Sequence, residues 1–142
     1  MGKKRIIKKS GGSDTNASKA LSRIPKKKVD AGVLNVLATF NNTILTLADM
    51  QGNALMSASS GAIGFKGSRK STPFAAAKVG EVIGDKAQQM GMKEASVVVR
   101  GVGAGRESAL RAFAGKGINI VRISDRTPVP HNGPRAKKAR RV

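Results

Sequence analysis

Cysteine is absent from the 142 residues, which excludes disulfides, thiolate metal sites and cysteine nucleophiles. Tryptophan and tyrosine are absent too, leaving four aromatic residues, Phe40, Phe65, Phe74 and Phe113. A surface that binds by stacking bases displays several rings. Here Phe40 and Phe113 fall at core positions of the pattern and Phe74 opens a helix. Only Phe65, between two glycine-bearing turns, is placed to stack. Histidine occurs once, as His131, in a Pro- and Gly-rich basic stretch that is a poor place to lock a general base. No apolar run approaches the ~18–20 residues of a membrane span. Residues 1–9 hold only Ile6-Ile7 where a signal peptide needs a longer apolar centre. A soluble, cytosolic protein is expected.

Acidic residues are few, eight against 27 Lys plus Arg, for a net charge of +19. A chain so unbalanced repels itself until a polyanion neutralises it, so nucleic acid or an anionic membrane is the expected partner. The charge is uneven. Residues 1–28 carry +9 and residues 126–142 carry +6, whereas residues 29–125 carry only +4. The expected organisation is therefore a basic N-terminal arm (1–28), a globular domain (29–125) and a basic C-terminal arm (126–142), the arms ordering on binding.

Within the central part the apolar period changes along the chain. Leu34, Val36, Ala38 and Phe40 alternate with Val33, Asn35, Leu37 and Thr39, the period-two signature of a strand. Asn41-Asn42 is a turn, Thr43–Ala48 a second strand, Asp49–Gly52 another turn and Asn53–Ser59 a third strand. Gly64–Ser71 reads as a flexible basic loop. Thr72 and Pro73 then read as N-cap and first residue of a helix to Met90, with a stripe of Val79, Val82, Ile83, Ala87 and Met90. Gly91 stops it. A strand at Ala95–Val99, a short helix at Glu107–Ala114 and a strand at Ile118–Ser124 complete the order βββαβαβ. With right-handed crossovers this predicts an α/β fold, a mixed five-stranded sheet with two helices. Four features then emerge at the carboxyl ends of parallel strands: the Asn41-Asn42 turn, the Gly64–Thr72 loop, the Gly101–Arg106 loop and the chain after Asp125. Open α/β sheets bind ligands there.

The chemistry expected at that edge is phosphate binding. Lys66, Arg69 and Lys70 lie within five positions beside a helix N-terminus. Gly101-Val102-Gly103-Ala104-Gly105-Arg106 follows a strand, but G-x-G-x-x-G needs glycine where Arg106 stands, so a dinucleotide fold is disfavoured. A close backbone approach to a phosphate chain, with Arg106 as its cation, fits better. No P-loop string occurs, and no cofactor is expected. The topology resembles that of ribonuclease H-like nucleases, which need a carboxylate cluster for paired metals. Most of Asp14, Asp30, Asp49, Glu81, Asp85, Glu94, Glu107 and Asp125 fall in arms, turns or exposed helix positions, where a solvated role is expected. Only Glu107 and Asp125 share the edge. A nucleoid- or messenger-binding module stays open as an alternative, with a divergent nuclease behind it. Asn132-Gly133 leaves a backbone nitrogen unhindered to attack the side-chain amide, a route through succinimide to isoaspartate.

Four separated motifs carry a resemblance: Phe40-Asn41-Asn42-Thr43-Ile44, Gly67-Ser68-Arg69-Lys70-Ser71-Thr72-Pro73-Phe74-Ala75-Ala76, Gly105-Arg106-Glu107-Ser108, and Thr127-Pro128-Val129-Pro130-His131-Asn132-Gly133. In this order, from about Gly32 to Val142, the chain resembles the S-eleven family of bacterial small-ribosomal-subunit proteins. Val102 and Ala104 stand where that family commonly has prolines, and the N-terminal arm is longer and richer in lysine. The resemblance implies a ribonuclease H-like fold without catalysis or metal. It implies binding to small-subunit ribosomal RNA on the subunit platform, near the exit site and the Shine–Dalgarno region of the messenger. The neighbours it implies are the S-seven, S-eighteen and S-twenty-one proteins. Carried over motif by motif, Asn41 and Asn42 meet RNA backbone or sugar, and Lys66, Arg69, Lys70 and Arg106 meet phosphates. His131, Asn132, Arg135, Lys137, Lys138, Arg140 and Arg141 thread between RNA helices.

Overall fold

A computed structural model describes residues 27–141. The expected N-terminal arm therefore lies, but for Lys27 and Lys28, outside the described residues. Strands β1 (Ala31–Ala38), β2 (Thr43–Asp49), β3 (Ala54–Ser59), β4 (Glu94–Arg100) and β5 (Asn119–Asp125) form one sheet in the order β3-β2-β1-β4-β5. β2 pairs antiparallel with β1 and with β3; β4 pairs parallel with β1 and with β5. The mixed five-stranded sheet predicted from the period-two runs is present, and β1, β3, β4 and β5 point the same way. Helices α2 (Pro73–Gln89) and α3 (Arg106–Ala114) supply the core contacts over one face. A third helix of one turn, α1 (Ser60–Ile63), was not expected.

Leu34 and Val36 of β1, Leu45 and Leu47 of β2, and Val97 and Val99 of β4 meet Val79, Ile83 and Ala87 of α2 and Phe113 of α3 in the core. β1 obeys its alternation to Ala38 and no further. Thr39 then organises the turn: its N–H donates to the Asn42 carbonyl at 2.9 Å, and its Oγ1 accepts the Asn42 N–H at 3.0 Å. Phe40 is carried to the tip and is 75% exposed, not in the core where the alternation placed it.

Helix α2 begins and ends as its sequence dictates. The Thr72 Oγ1 accepts the Ala75 N–H at 3.3 Å, with Pro73 as first helical residue. Gly91, at φ +84°, lets the Met92 N–H reach back to the Ala87 carbonyl at 3.0 Å, closing a Schellman motif. Its buried face differs from the large-residue stripe in one respect. Val82 is only half-buried, whereas Gly80 and Gly84 are buried. A methyl on Gly80 would sit 2.5 Å from the Ala109 carbonyl oxygen, so the two helices touch backbone to backbone. In an exposed helix Gly costs about 1 kcal/mol relative to Ala; here it sets the helix spacing.

At the sheet end away from the loaded edge, Asp49 is buried rather than solvated. Its carboxylate accepts the N–H groups of Gln51 (3.0 Å) and Asn53 (2.9 Å), the Asn53 amide (3.1 Å) and Lys27 Nζ (3.0 Å). The Asn53 side chain, the Asn53 N–H and Lys27 together hold its pKa far below the ordinary carboxylate value. It is the clamp of the β2–β3 turn.

Candidate nucleic-acid interface

Because β1, β3, β4 and β5 run in one direction, their carboxyl ends open on one edge; the four expected features lie there, and the Asn41-Asn42 turn, the Gly101–Arg106 loop and the chain after Asp125 join one another. The contacts are direct. The Gly103 N–H donates to the Ala38 carbonyl at 2.9 Å, and the Gly101 N–H donates to Thr127 Oγ1 at 3.2 Å. The β4–α3 loop is thus sewn to the end of β1 on one side and to the chain leaving β5 on the other.

The three glycines of that loop are used up by its own packing. At Gly101, φ is +94° and a Cβ would overlap the Ala38 carbonyl. At Gly103 it would overlap the Thr39 carbonyl, and at Gly105 it would stand 2.6 Å from both Ala76 Cβ and Thr43 Oγ1. The glycines admit a neighbouring strand end and helix, which is a different use from the close approach to a phosphate chain expected of them. Thr43 Oγ1, pressed against Gly105, is buried with no hydrogen-bond partner among the described residues.

Arg106 is held in place. Its guanidinium donates to the Gly101 carbonyl at 2.7 Å and pairs with the Asp125 carboxylate. Thr127 donates to the same carboxylate through its N–H (2.9 Å) and Oγ1 (2.6 Å). The Thr127 hydroxyl, then Arg106, lower the Asp125 pKa to about 2. A depressed carboxylate contributes its stabilisation above its ordinary value near 3.9 and loses it as pH falls through the folded value. The Thr127 amide resonance should therefore stay fixed from pH 8 to 4 and titrate near 2; a midpoint near 4 would show the latch unmade in solution. Glu107, the other acid at this edge, points to Arg111 Nη2 at 3.4 Å. Among the described residues no three His, Asp or Glu side chains gather as metal ligands do.

Gly64–Ser71, expected as a loop, holds hydrogen-bonded turns braced by hydroxyls within and beside it. Ser59 Oγ caps α1 by accepting the Ala62 N–H at 3.2 Å, Gly64 closes it at φ +119°, and Gly67–Ser71 forms a 3-10 turn. Thr72 Oγ1 donates to the Arg69 carbonyl at 2.7 Å and Ser71 Oγ to Ser68 at 3.2 Å, stiffening the turn that carries Arg69 and Lys70. The N-terminus of α2 is less open than a cradle requires. Pro73 has no N–H, and Thr72 takes those of Ala75 (by its hydroxyl) and Ala76 (by its carbonyl). The cations beside it are Lys66 and Arg69, which are exposed, and Lys70, which is half-buried.

The remaining predicted residues divide in two. Asn42 Oδ1 accepts the Thr43 N–H at 3.0 Å, so one polar atom of Asn42 serves the turn, while Asn41 is exposed beside Phe40. His131, Asn132, Arg135, Lys137, Lys138, Arg140 and Arg141 are all exposed on a segment with no helix or strand after Asp125. Asn132 is the sole non-glycine at positive φ (55°) among the described residues. Two residues at this edge escaped the sequence reading. Phe74 is 65% exposed with its ring edge-to-face on Phe65 (centroids 6.0 Å, 83°), and Lys78 Nζ lies 5.7 Å from its centroid. Spacing alone could have found Lys78, one helical turn after Phe74.

Lys66, Arg69 and Lys70 and the start of the basic C-terminal segment lie at one edge of the sheet, and Asp49, Glu81, Asp85, Glu107 and Asp125 are tied into turns and ion pairs, the arrangement of a basic structural protein. Comparison with known sequences gives the particular family. The chain belongs to the family of ribosomal protein S11, which matches residues 32–141. It is 56% identical over 127 residues to the small ribosomal subunit protein uS11 of Leptothrix cholodnii, covering 89% of this chain and 95% of that one. It is also 56% identical over 126 residues to uS11 of Methylibium petroleiphilum, with the same coverage. The family is one of structural components of the small ribosomal subunit acting in translation, and the chain is not an enzyme. Among the described residues no helix is long and apolar enough to cross a membrane.

Proposed function

We propose that the chain binds small-subunit ribosomal RNA along the edge where β1, β3, β4 and β5 end, and so helps form the subunit platform. The observation that carries this reading is the convergence of Asn41, Lys66, Arg69, Lys70 and the basic C-terminal segment on that single edge. Side chains on a stiff 3-10 turn and an anchored tail suit backbone contacts, which position a protein on folded RNA without reading its bases. Arms 1–28 and 126–142, which flank domain 29–125 in the sequence, add cations to the contact. Arg106 has a positioning part in this scheme, fixing where the C-terminal segment leaves β5. The platform location implies neighbours of the S-seven, S-eighteen and S-twenty-one types and a place in the cytoplasm near the exit site and the messenger's Shine–Dalgarno region.

Sucrose-gradient fractionation of cell extract tests this. The chain is expected to sediment with small subunits and to leave them at high salt. Sedimentation with free messenger or with the nucleoid would replace the ribosomal reading by that of a general nucleic-acid-binding module.

A further inference from the structure

Beside the 3-10 turn the chain leaves an open cleft of about 640 Å³, inside the roughly 300–1,000 Å³ range of ligand-holding clefts. Ile63, Phe65 and Phe74 supply its apolar walls, and Lys66, Arg69 and Lys78 its rim. No acidic residue among the described ones lines it. Single exposed apolar side chains are ordinary on a protein surface. Two paired rings inside a ring of cations are a different arrangement. The second residue of α2 places Phe74 outward, and its edge-to-face partner Phe65 packs against it on the same wall. Lys78, paired with Glu81 at 3.0 Å, approaches the Phe74 ring at 5.7 Å, a cation–π contact that restrains it.

We infer that this cleft receives one unstacked RNA base, held against Phe65 and Phe74, while Lys66 and Arg69 take the flanking phosphates. The inference rests on the RNA-binding reading above and adds a subsite to it. The chemistry narrows the occupant. A base offers a flat π face to the rings and brings anionic phosphates to the rim, the mode by which proteins hold bulged and single-stranded RNA. A paired helix keeps its bases stacked and cannot fill the apolar part. Continuity with Lys70 and the loaded edge lets one RNA strand run from the turn into the cleft.

The test uses the full chain and two RNA hairpins, one with a single bulged 2-aminopurine and one fully paired. The wild-type protein is expected to quench the 2-aminopurine fluorescence or shift it, and to bind the bulged hairpin on the order of tenfold more tightly, the effect of one aromatic stack. Phe74→Leu removes the π face and keeps the bulk; it should abolish both the preference and the quenching, while Phe74→Trp keeps them. The salt slope should be unchanged in both variants, because no phosphate contact is lost. An unchanged melting temperature for Phe74→Leu, expected for an exposed side chain, shows that folding is intact. Salt-dependent binding without bulge preference, or with Phe74→Leu equal to wild type, would overturn the base subsite. It would leave RNA binding standing and give the cleft to an apolar side chain of a neighbouring protein. Failure to bind either hairpin would overturn the underlying reading together with the subsite.

Discussion

Gly101→Ala is expected to destabilise the chain more than any other single added methyl group at the loaded edge. Two effects act together. The residue sits at φ +94°, where a side chain is strained by about 1–3 kcal/mol. Its new Cβ would also overlap the Ala38 carbonyl, a backbone atom at the end of a central strand. That atom cannot swing aside as a side chain would, and overpacking of this kind costs roughly 1–3 kcal/mol more. Against a total stability on the order of 5–15 kcal/mol this is a large fraction. At ~2–4 °C per kcal/mol for a chain approaching this size, the melting temperature should fall by about 5–20 °C. Gly52→Ala is the control. It has nearly the same φ, +91°, with nothing within 4 Å of the added methyl, so it carries the conformational strain alone. Equal losses in the two variants, measured by thermal unfolding, would show that β1 and the β4–α3 loop do not touch as described.

Replacing Lys66, Arg69 and Lys70 together by alanine should have the largest effect on RNA binding. Each phosphate neutralised contributes ~0.7–0.9 to the slope of log K against log salt, the limits being single strands and duplex DNA. Three lost contacts make the slope shallower by about two to three. The deficit is then greatest at low salt and narrows by roughly tenfold or more between 50 and 200 mM. The arrangement is specific to these residues. Arg106→Ala, by contrast, should leave the slope nearly unchanged and lower stability, since its guanidinium serves Gly101 and Asp125. A triple variant with the wild-type slope would remove the turn from the interface.

The sheet and its edge were legible in the sequence because both follow from short-range pattern. The alternation through Leu34, Val36 and Ala38 and the N-cap at Thr72 each depend on neighbours a few residues away, and counting strand directions then predicts the edge. What was not legible depends on hydrogen bonds and packing that hydrophobic period does not report, in part between residues distant in sequence. Phe40 continues the alternation, but the turn built by Thr39 ends the strand first. Gly80 and Gly84 carry no hydrophobic signal, yet α3 packs on them. Asp49 reads as a solvated turn acid until Lys27 and Asn53 are seen around it. Arg106 matches a phosphate-binding pattern, and only the fold shows that Asp125, nineteen positions on, claims it. The glycine run suggested a ligand loop for the same reason: close approach requires glycine whether the visitor is a phosphate or the protein's own β1.

RNA is expected on the carboxyl-end edge and not on the helical face. Ultraviolet cross-linking of assembled small subunits, with peptide–RNA adducts mapped by mass spectrometry, would distinguish the two. The adducts are expected at residues 39–42, 64–74 and 127–141. Adducts concentrated on the exposed side of α2 beyond Lys78 and on α3, with those three segments unmodified, would contradict this expectation.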